Sequence, residues 1–566
     1  MFPIISKISN CTDCYRCLRS CNVKAISFRA KQAKIMTDKC VLCGRCLSEC
    51  PQHTKTVYSQ EQAVRDWLAA GETVALSLSP SFISHFGCDA APEVYARARA
   101  LGFAVVEEMA VTGAEYLAQC QEALAKGSGR FYISSHCPVI INLVEKHFPH
   151  LLPHLLPVET PAVIHARSLR ARYGEGIRVV VATACLSEME LSPEDELSAA
   201  LSWQQLETLL KEADPEKTAA IDEDEPEYQL IGQRLSLSGG LQGWLVQEGV
   251  LQEEQVQALS GMRDCLETLE GLDRELVKGL RFLELMGCRD GCTTGLGLDK
   301  KGSILDKRLQ MIKRQKRYQV RPMLPAGQVP YTPKVFPDRQ YVPAAVDNTE
   351  VAEVLSTFKQ YNRQTALNCG ACGFDSCYEK AVAVVRGEAE QEMCMTYMRK
   401  RAESMAHTIV RSVPSAIIVF DKDFIIQEAN PAAYEMFKPY GLKEGNALFE
   451  SIDIRYMERV VDTGIGIRDK IVHYEDIDLW TRQIIVRMYD TKDMYLAIIE
   501  DITEQEKKRL ELEQMKTETL EKANTVINNQ MMVAQQIASL LGETTAETKI
   551  TLLDLIKQFE REKELE

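Results

Sequence analysis

The chain has 566 residues, which is more than one hydrophobic core supports and predicts about three to five domains. Apolar residues make up 45% of the sequence and charged residues 26%, values typical of globular proteins and not of disordered chains. No apolar run approaches the roughly 20 residues that cross a bilayer, and the start lacks the charged-then-apolar pattern of a signal peptide. Composition therefore argues against a membrane protein and predicts a soluble, cytoplasmic one.

The net charge of −15 is unevenly distributed along the chain. Residues 1–57 contain ten lysines and arginines against three acids, a local charge of +7. This basic head predicts an acidic docking partner, and a solvated basic face is the alternative. A second basic run, KRLQMIKRQKR at 307–317, favours a solvated helix over contact with nucleic acid.

Nineteen cysteines would indicate disulfides in a small secreted domain. This chain is long, shows no export signal and groups its cysteines at metal-ligand spacing, which favours metal sites instead. Sixteen of them fall into motifs. The other three, Cys88, Cys120 and Cys265, are predicted to be small buried apolar residues.

Residues 1–58 are predicted to form one domain around two cysteine runs of the pattern C-x2-C-x2-C-x3-C. Three thiolates of one run grip three corners of an iron–sulfur cube, and the fourth ligand comes from the other run. Isolated zinc knuckles, the alternative, lack such a duplicated quartet. The segment resembles the bacterial two-cluster ferredoxins, which implies two 4Fe–4S clusters that pass single electrons. The predicted ligands form the Cys11 set (Cys11, Cys14, Cys17 and Cys50) and the Cys40 set (Cys40, Cys43, Cys46 and Cys21).

Residues 65–318 alternate strand-like apolar runs with helical segments, which predicts an α/β domain. The predicted strands are TVALSLS, GFAVVEEM, RFYISS and RVVVATA, and ALSWQQLETLLKEA is predicted to be a helix. In such sheets the chemistry lies on the loops that follow the strands.

Three cysteine-bearing loops occupy such places in this domain. Cys137 follows the strand FYISS, Cys185 follows RVVVATA, and the C-x3-C pair Cys288 and Cys292 follows an apolar segment predicted as a helix. A single cysteine of this kind is most simply structural. Together the three loops supply the four thiolates that a buried iron–sulfur cube needs.

The order of these loops, S-x-C-P, then C-x-x-x-x-E, then E-x-M-x-C-x-x-G-C-x-x-G, resembles the signature loops of iron-only ([FeFe]) hydrogenases. The resemblance implies that four cysteines bind a 4Fe–4S cluster and that Cys292 also bridges to a two-iron centre with carbon monoxide, cyanide and dithiolate ligands. It further implies that Met286 packs against that centre. The ligands, here called the Cys137 set, are Cys137, Cys185, Cys288 and Cys292.

The loops also depart from the family pattern. His136 stands where the family has a proton-relay cysteine, and Glu188 replaces a lysine that donates a hydrogen bond to a cyanide. A carboxylate there repels an anionic ligand unless it is protonated or turned away. Ala184 replaces a proline, and Arg289 and Asp290 replace small residues. Histidine can shuttle protons near neutral pH, so His136 is the candidate relay, but its ring differs from a thiol in shape and reach. The pattern indicates that the cysteine site for the metal group is kept, while fast hydrogen turnover at that site is lost.

A proline-rich connector at 319–350 is predicted to lie extended over the domain surface. The following segment, 351–400, has cysteines on a loop where Gly370 and Gly373 let the backbone wrap a cube closely, and one more at the far end of the predicted helix YEKAVAVVRGEAEQEM. It resembles a small 4Fe–4S domain of electron-transport and corrinoid proteins, which implies one further cluster; zinc is the alternative. The predicted ligands, the Cys369 set, are Cys369, Cys372, Cys377 and Cys394.

Residues 403–503 contain no cysteine and resemble a PAS domain. The resemblance lies in the strand AIIVFD, in Asn430 at the start of a helix, and in a closing strand that runs into Asp501-Ile502-Thr503. PAS domains sense ligands or redox state and pass the signal through the helix that leaves them. His473 is the one candidate haem ligand, and a structural role is favoured for it.

The tail, 504–566, begins with apolar residues spaced three or four apart, which predicts a coiled coil and a homodimer. Gly542 is predicted to end this helix, and Thr544 with Glu547 to cap a last helix, TLLDLIKQFERE. No histidine follows His473, so the output is expected to pass through a separate kinase or serine phosphatase. The stripe consists of Leu520, Ala523, Ile527, Met531, Ala534, Ile537 and Leu541.

The sequence thus predicts a multidomain α/β and α+β protein with four 4Fe–4S clusters and, at Cys292, a two-iron centre. The leading hypothesis is a redox or hydrogen sensor that takes electrons from an acidic ferredoxin or a similar donor. A working ferredoxin-dependent hydrogenase and an electron-transfer scaffold with 4Fe–4S clusters alone are the alternatives.

Overall fold

The chain forms two compact units, Met1–Met398 and Arg399–Glu566. Within the described ranges, no helix is long and apolar enough to cross a membrane. The computed structural model describes residues 2–6, 11–127, 129–190, 196–219, 226–272, 278–295, 302–358, 366–450, 452–489, 493–541 and 546–563.

The head folds around two short helices, each of which carries cysteines of one run. Strands β1 and β4 pair antiparallel and bring the two ends of the head together, while β2 and β3 form a hairpin. Leu18, Phe28 and Leu42 are almost fully buried and form the small core between the runs. The elements are β1 (Ile4–Ser6), α1 (Arg16–Ser20), β2 (Ile26–Arg29), β3 (Gln32–Ile35), α2 (Arg45–Ser48) and β4 (Lys55–Val57).

The middle domain contains two parallel sheets, with strand orders β6–β5–β8–β9 and β10–β11–β7. Strands β5 and β11 are buried along their whole length, as expected of parallel strands covered on both faces. Its elements are α3 (Glu61–Ala69), β5 (Val74–Leu78), α4 (Phe82–Phe86), α5 (Ala91–Ala100), β6 (Val105–Glu108), α6 (Gly113–Lys126), β7 (Tyr132–Ile133), α7 (Pro138–His147), α8 (Pro161–Tyr173), β8 (Arg178–Thr183), β9 (Ala199–Ser202), α9 (Trp203–Leu210), α10 (Pro215–Ala219), α11 (Gly240–Gln247), β10 (Val256–Ser260), α12 (Met262–Glu270), β11 (Phe282–Met286) and α13 (Ile304–Arg317).

Two local predictions in this domain are wrong. The segment before Cys288 is the strand β11 and not a helix, because it pairs in register with β10 and β7. The predicted helix from Ala200 starts only at Trp203, since Ala199–Ser202 belongs to strand β9. Ser202 caps that helix in a capping box with Gln205.

A buried polar network ties helix α8 to the first sheet. Ser77 donates to His165 Nδ1 at 2.7 Å, and His165 Nε2 donates to Glu107 at 2.8 Å. Arg172 grips the same carboxylate with two nitrogens, one of them at 2.8 Å. Burial opposes the ionisation of Glu107, but the bonds from Arg172 and His165 outweigh it and lower its pKa to about 2. Because Ser77 and His165 are 0% exposed, this serine–histidine–glutamate array is structural and not a hydrolytic triad.

Replacing Glu107 with alanine is expected to lower the free energy of unfolding by about 3 kcal/mol, because the half-buried Arg172 and the buried His165 lose the carboxylate that they share. The folded-state pKa lies below the unfolded one, so this stabilisation is complete above about pH 5 and is lost as the pH falls towards 2. Urea unfolding of the full-length protein at several pH values measures both effects. Glu72→Ala is the control, since its exposed pair with Arg178 contributes about 0–1 kcal/mol. Equal losses of unfolding free energy in Glu107→Ala and Glu72→Ala would contradict the structural role given to Glu107.

The connector lies along the middle domain without helix or strand between residues 321 and 347. The backbone amides of Lys334, Arg339 and Tyr341 donate to carbonyls of Pro157, Glu145 and Lys146 at 3.0–3.2 Å.

The basic run lies on helix α13, and two of its cations point into the protein. Lys307 is 8% exposed, and Arg314, at 3% exposed, pairs with the fully buried Glu108 at 2.5 Å. Part of the basic character of the run is therefore used inside the fold.

Around the Cys369 set the structure has helices α14 (Asn348–Thr357), α15 (Cys377–Val385) and α16 (Met395–Ser412). The prediction of one helix from Tyr378 to Met393 is wrong. Helix α15 ends at Val385, Gly387 turns the chain at φ +65°, and a short turn leads to Cys394. The break folds Cys394 back toward the loop cysteines.

The second unit contains a five-stranded antiparallel sheet of order β13–β12–β16–β15–β14, with its core against helices α17 and α18. Asn430 caps α17, as predicted, and its side chain accepts a hydrogen bond from Ala433 N at 2.9 Å. The elements are β12 (Ala416–Asp421), β13 (Ile426–Ala429), α17 (Pro431–Met436), α18 (Arg455–Thr463), β14 (Ile467–Tyr474), β15 (Leu479–Arg487), β16 (Met494–Asp501), α19 (Thr503–Leu541) and α20 (Ala546–Lys563).

Helix α19 matches the predicted exit helix, and α20 matches the predicted last helix. Ile527 and Met531 of the apolar stripe line one groove with Leu552 and Ile556 of α20. Part of the stripe is therefore covered by the chain's own last helix. The predicted break at Gly542 and cap at Thr544 lie outside the described residues.

Candidate metal centres

The three cysteine loops of the middle domain meet at one cavity of about 750 Å³. All four members of the Cys137 set line it, together with His136, Glu188 and Met286. The loops follow β7 and β11, which run parallel in one sheet, and β8, which belongs to the other sheet. The structure thus brings together the residues that were predicted to share a site.

Local backbone geometry presents these sulfurs to the cavity. Cys137 is the N-cap of α7, which Pro138 starts, so its sulfur lies at the positive end of that helix. Gly287 N donates to the Cys137 sulfur at 3.5 Å. Burial raises the pKa of Cys288 to about 12, as do the neighbouring thiols. Four such thiols facing one cavity match the ligand demand of a 4Fe–4S cluster, whose iron stabilises thiolates that the protein alone does not.

His136 lies in the wall of this cavity at 5% exposed. Neither ring nitrogen has a hydrogen-bond partner among the residues that the structure describes. Burial lowers the pKa of His136 to about 4, which keeps the ring neutral at physiological pH. As placed, the ring is not linked to any described proton-carrying side chain.

Glu188 lines the same wall and accepts a hydrogen bond from the Thr183 hydroxyl. Burial raises the pKa of Glu188, and the bond from Thr183 opposes that rise only in part. Burial therefore shifts the carboxyl toward its neutral form, which weakens the repulsion expected from a charged group at this place. Thr183 also accepts a bond from the Cys185 amide at 3.0 Å, so one hydroxyl positions both residues.

Other departures from the family pattern have structural partners. Asp290 pairs with Arg308 of α13 and anchors the third loop. Met286 is 1% exposed, and the Cys265 thiol donates to its carbonyl at 3.4 Å. Cys120 and Cys265 are fully buried, as predicted, while Cys88 is half-buried.

In the head, the Cys11 set lines one pocket of about 370 Å³, including Cys50 from the second run. Members of the Cys40 set lie close together. Burial raises the pKa of Cys21 to about 12, and the nearby thiols of Cys43 and Cys40 act in the same direction. Backbone amides of Ala25 and Leu42 donate to the sulfurs of Cys21 and Cys40 at 3.1 and 3.4 Å. Such bonds are typical of iron–sulfur sites.

The Cys369 set lines a pocket of about 400 Å³. Lys380, which sequence reasoning missed, lies in its wall at 1% exposed and donates to the Glu390 carbonyl. Burial lowers the pKa of Lys380 to about 8, while the thiols of Cys372 and Cys394 act in the opposite direction. The signal available in the sequence was a lysine three residues after the predicted ligand Cys377, at the start of a predicted apolar helix.

The Cys40 and Cys137 sets are neighbours in the first unit. Cys43 and Cys288 line one cleft of about 890 Å³, which also exposes Arg45 and Arg289. In the second unit His473 stacks on Trp480 at 4.2 Å between ring centres, a structural contact. Among the described residues no group of three or more His, Cys, Asp and Glu side chains is arranged to hold a single metal ion.

Four family models match successive parts of the chain. They describe a 4Fe–4S dicluster domain at 10–54, the C-terminal domain of the iron-only hydrogenase large subunit at 72–296, an Fe–S cluster segment at 366–395 and a PAS domain at 405–467. No curated protein matches the chain.

Two solved structures that resemble parts of the chain are an [FeFe]-hydrogenase and a PAS domain. An [FeFe]-hydrogenase from Chlamydomonas reinhardtii is 14% identical, with 50% of this chain and 100% of that chain covered and a TM-score of 0.35. The PAS domain of an HTR-like protein from Haloarcula marismortui is 18% identical, with 19% and 95% covered and a TM-score of 0.15. By its family matches, the protein combines iron–sulfur segments, a hydrogenase-like domain and a PAS domain.

Proposed function

We propose that the protein is an iron–sulfur sensor of redox state or hydrogen that signals through its PAS domain and tail helices to a partner protein. The observation that carries this proposal is the wall of the hydrogenase-like cavity. It keeps four cysteines, but it has His136, which lacks a described hydrogen-bond partner, and Glu188, whose pKa is raised by burial, where the family has a relay thiol and a cationic donor. Such a site can bind its metal group without cycling quickly.

The cysteine sets fit four 4Fe–4S clusters, because three of them each line one pocket and the fourth is gathered in the head. Cys292 and Met286 would hold a two-iron centre in the Cys137 cavity, and such a centre supplies the interconversion of hydrogen with protons and electrons. Among the described residues that line the cavity there is no lysine or arginine, so an anionic ligand there would face Glu188 and not a cation.

The partners follow from the same layout. Lys31 and Lys34 are exposed on the head hairpin and can receive an acidic ferredoxin or a similar electron donor. We place the protein in the cytoplasm, as a homodimer through α19, with a kinase or serine phosphatase as the receiver of the signal. Each of these partners is a proposal that binding experiments can test.

Infrared spectroscopy of protein matured anaerobically with the two-iron centre, together with a hydrogen-evolution assay, tests the proposal. Carbon monoxide and cyanide bands without appreciable turnover are the expected result, because the site lacks a proton relay. Protein expressed without maturation is the control and shows neither. Fast turnover would favour the working hydrogenase, and absent bands with full 4Fe–4S content would favour the scaffold.

A further inference from the structure

The basic face of the head is in contact with the small iron–sulfur segment of the same chain. Lys24 Nζ donates to the Gly373 carbonyl at 2.9 Å and to Asp375 at 3.1 Å. Arg19 donates to the Ala371 carbonyl at 3.2 Å. Two backbone carbonyls and one carboxylate, at alternate positions 371, 373 and 375 of the segment, are thus bridged to two cations of the head.

A second line of contacts holds the other end of the segment. Phe28 N donates to the Glu388 carbonyl at 2.7 Å, and Ala30 N donates to Glu390 at 2.6 Å. Arg29 donates to the Gly387 carbonyl. The turn that ends helix α15 therefore lies on the head hairpin, which gives that turn a tertiary role.

The charges of the two surfaces are complementary. Residues 366–395 carry five acids and two basic residues, against the excess of basic residues in the head. Residues 366–395 thus offer the head an acidic surface within the same chain, while Lys31 and Lys34 stay exposed for an external donor.

The contact is also close enough to exclude side chains. Gly373 has φ +93°, and a Cβ at that position would overlap the Leu18 side chain. Leu18 follows Cys17 of the Cys11 set, and Gly373 follows Cys372 of the Cys369 set. Leu18 and Gly373 contact each other, and each directly follows a cysteine of its set in the sequence. Both sides belong to one apolar cluster that contains Cys17, Leu18 and Phe374.

We propose that this contact between the head and residues 366–395, here called the joint, makes the segment the redox partner of the head within the same chain. It would hold the Cys11 and Cys369 sets in place for direct one-electron exchange. In the exchange one electron leaves the reduced group and enters the oxidised group, with no bond made or broken and no proton moved. The electron comes from a one-electron reductant, which is dithionite in the test below. The proposal rests on both sets holding iron–sulfur clusters, as the proposed function requires.

The last cysteine of the docked segment directly precedes the helix that leads into the matched PAS region. Helix α16 begins at Met395, directly after Cys394, and continues to Ser412 inside the matched PAS region. The docked segment is thus the last cysteine-bearing element before the sensor domain.

The test is electron paramagnetic resonance of the reconstituted full-length protein during stepwise reduction with dithionite. In the unchanged protein we expect magnetic interaction between the clusters of the Cys11 and Cys369 sets. The double variant K24D/R29D sets like charges against Asp375 and Glu390 and is expected to abolish that interaction. The matched control K31D/K34D makes the same charge change on exposed lysines of the same head and is expected to leave it intact.

A charge-swapped variant separates undocking from damage to the head. Adding D375K and E390K to K24D/R29D is expected to restore the magnetic interaction. An interaction that persists in K24D/R29D at full iron content, or one that is missing from the unchanged protein with both clusters present, would overturn the proposal. Iron missing from the Cys369 set of the unchanged protein would instead count against the proposed function.

Discussion

Replacing Cys185 with alanine is expected to remove about four irons per chain from the anaerobically reconstituted protein. Cys185 and the other members of its set line a single cavity. Burial raises the pKa of the Cys185 thiol, so its thiolate form needs a bound iron to be stable. With three ligands left, one corner of the cube faces a wall that offers neutral or apolar groups. Iron and sulfide analysis measures the loss, and any carbon monoxide and cyanide bands should disappear with it.

Cys120→Ala is the matched control for Cys185→Ala. Cys120 is fully buried and lies outside all four cysteine sets, so its loss removes a thiol without removing a ligand. Its iron content is expected to equal that of the unchanged protein. An unchanged iron content in Cys185→Ala would show that the Cys137 set does not hold a cluster.

The candidate sites could be predicted from the sequence because cluster ligation imposes short, fixed spacings on the chain. In the head the ligands are so close in sequence that local backbone geometry decides the site, and the structure gathers Cys50 with the first run as expected. In the middle domain Cys137 and Cys185 were recognisable because each follows a β-branched run. Strands β7 and β8 belong to different sheets, however, so the packing of the two sheets and not strand pairing brings these loops to one cavity.

Element boundaries were harder to predict where an apolar run was short. FLELM before Cys288 has five residues, too few for periodicity to separate a strand from a helix, and pairing with β10 and β7 decided the outcome. The helix after Cys377 was extended too far because Gly387 stands in an otherwise helical pattern. That glycine is the C′ residue of a local helix cap, in which the amides of Gly387 and Glu388 donate to the carbonyls of Val384 and Ala383. Its own carbonyl accepts a bond from Arg29 of the head.

The electrostatic state of the cavity also lay beyond sequence patterns. The sequence shows that Glu188 replaces a lysine, but not whether the carboxyl is charged. In the structure burial raises the pKa of Glu188, while the bond from Thr183 acts in the opposite direction, and both effects come from the fold. The docking of residues 366–395 on the head is equally invisible in the sequence, since its contacts join positions some 350 apart along the chain.

Replacing His136 with cysteine is expected to raise hydrogen evolution by about 100-fold in protein whose infrared bands show a two-iron centre, since a positioned acid or base contributes about 10²–10⁴ in rate. His136 is held neutral by burial, so its single N–H is a very weak acid, and neither ring nitrogen has a described partner from which to take a proton. A thiol carries its proton under those conditions and has the smaller volume that the family's relay position accepts. Hydrogen evolution from reduced methyl viologen measures the change.

His136→Ala separates the relay from a simple gain of space. Alanine removes the same ring but supplies no proton, so this variant is expected to stay as slow as the unchanged protein. If His136→Ala gains as much as His136→Cys, the histidine limits turnover by filling the cavity and not by failing to relay protons. If neither variant gains while the infrared bands are intact, the slow step lies elsewhere in the wall, and Glu188, which stands at the position of the family's lysine, is the next residue to exchange.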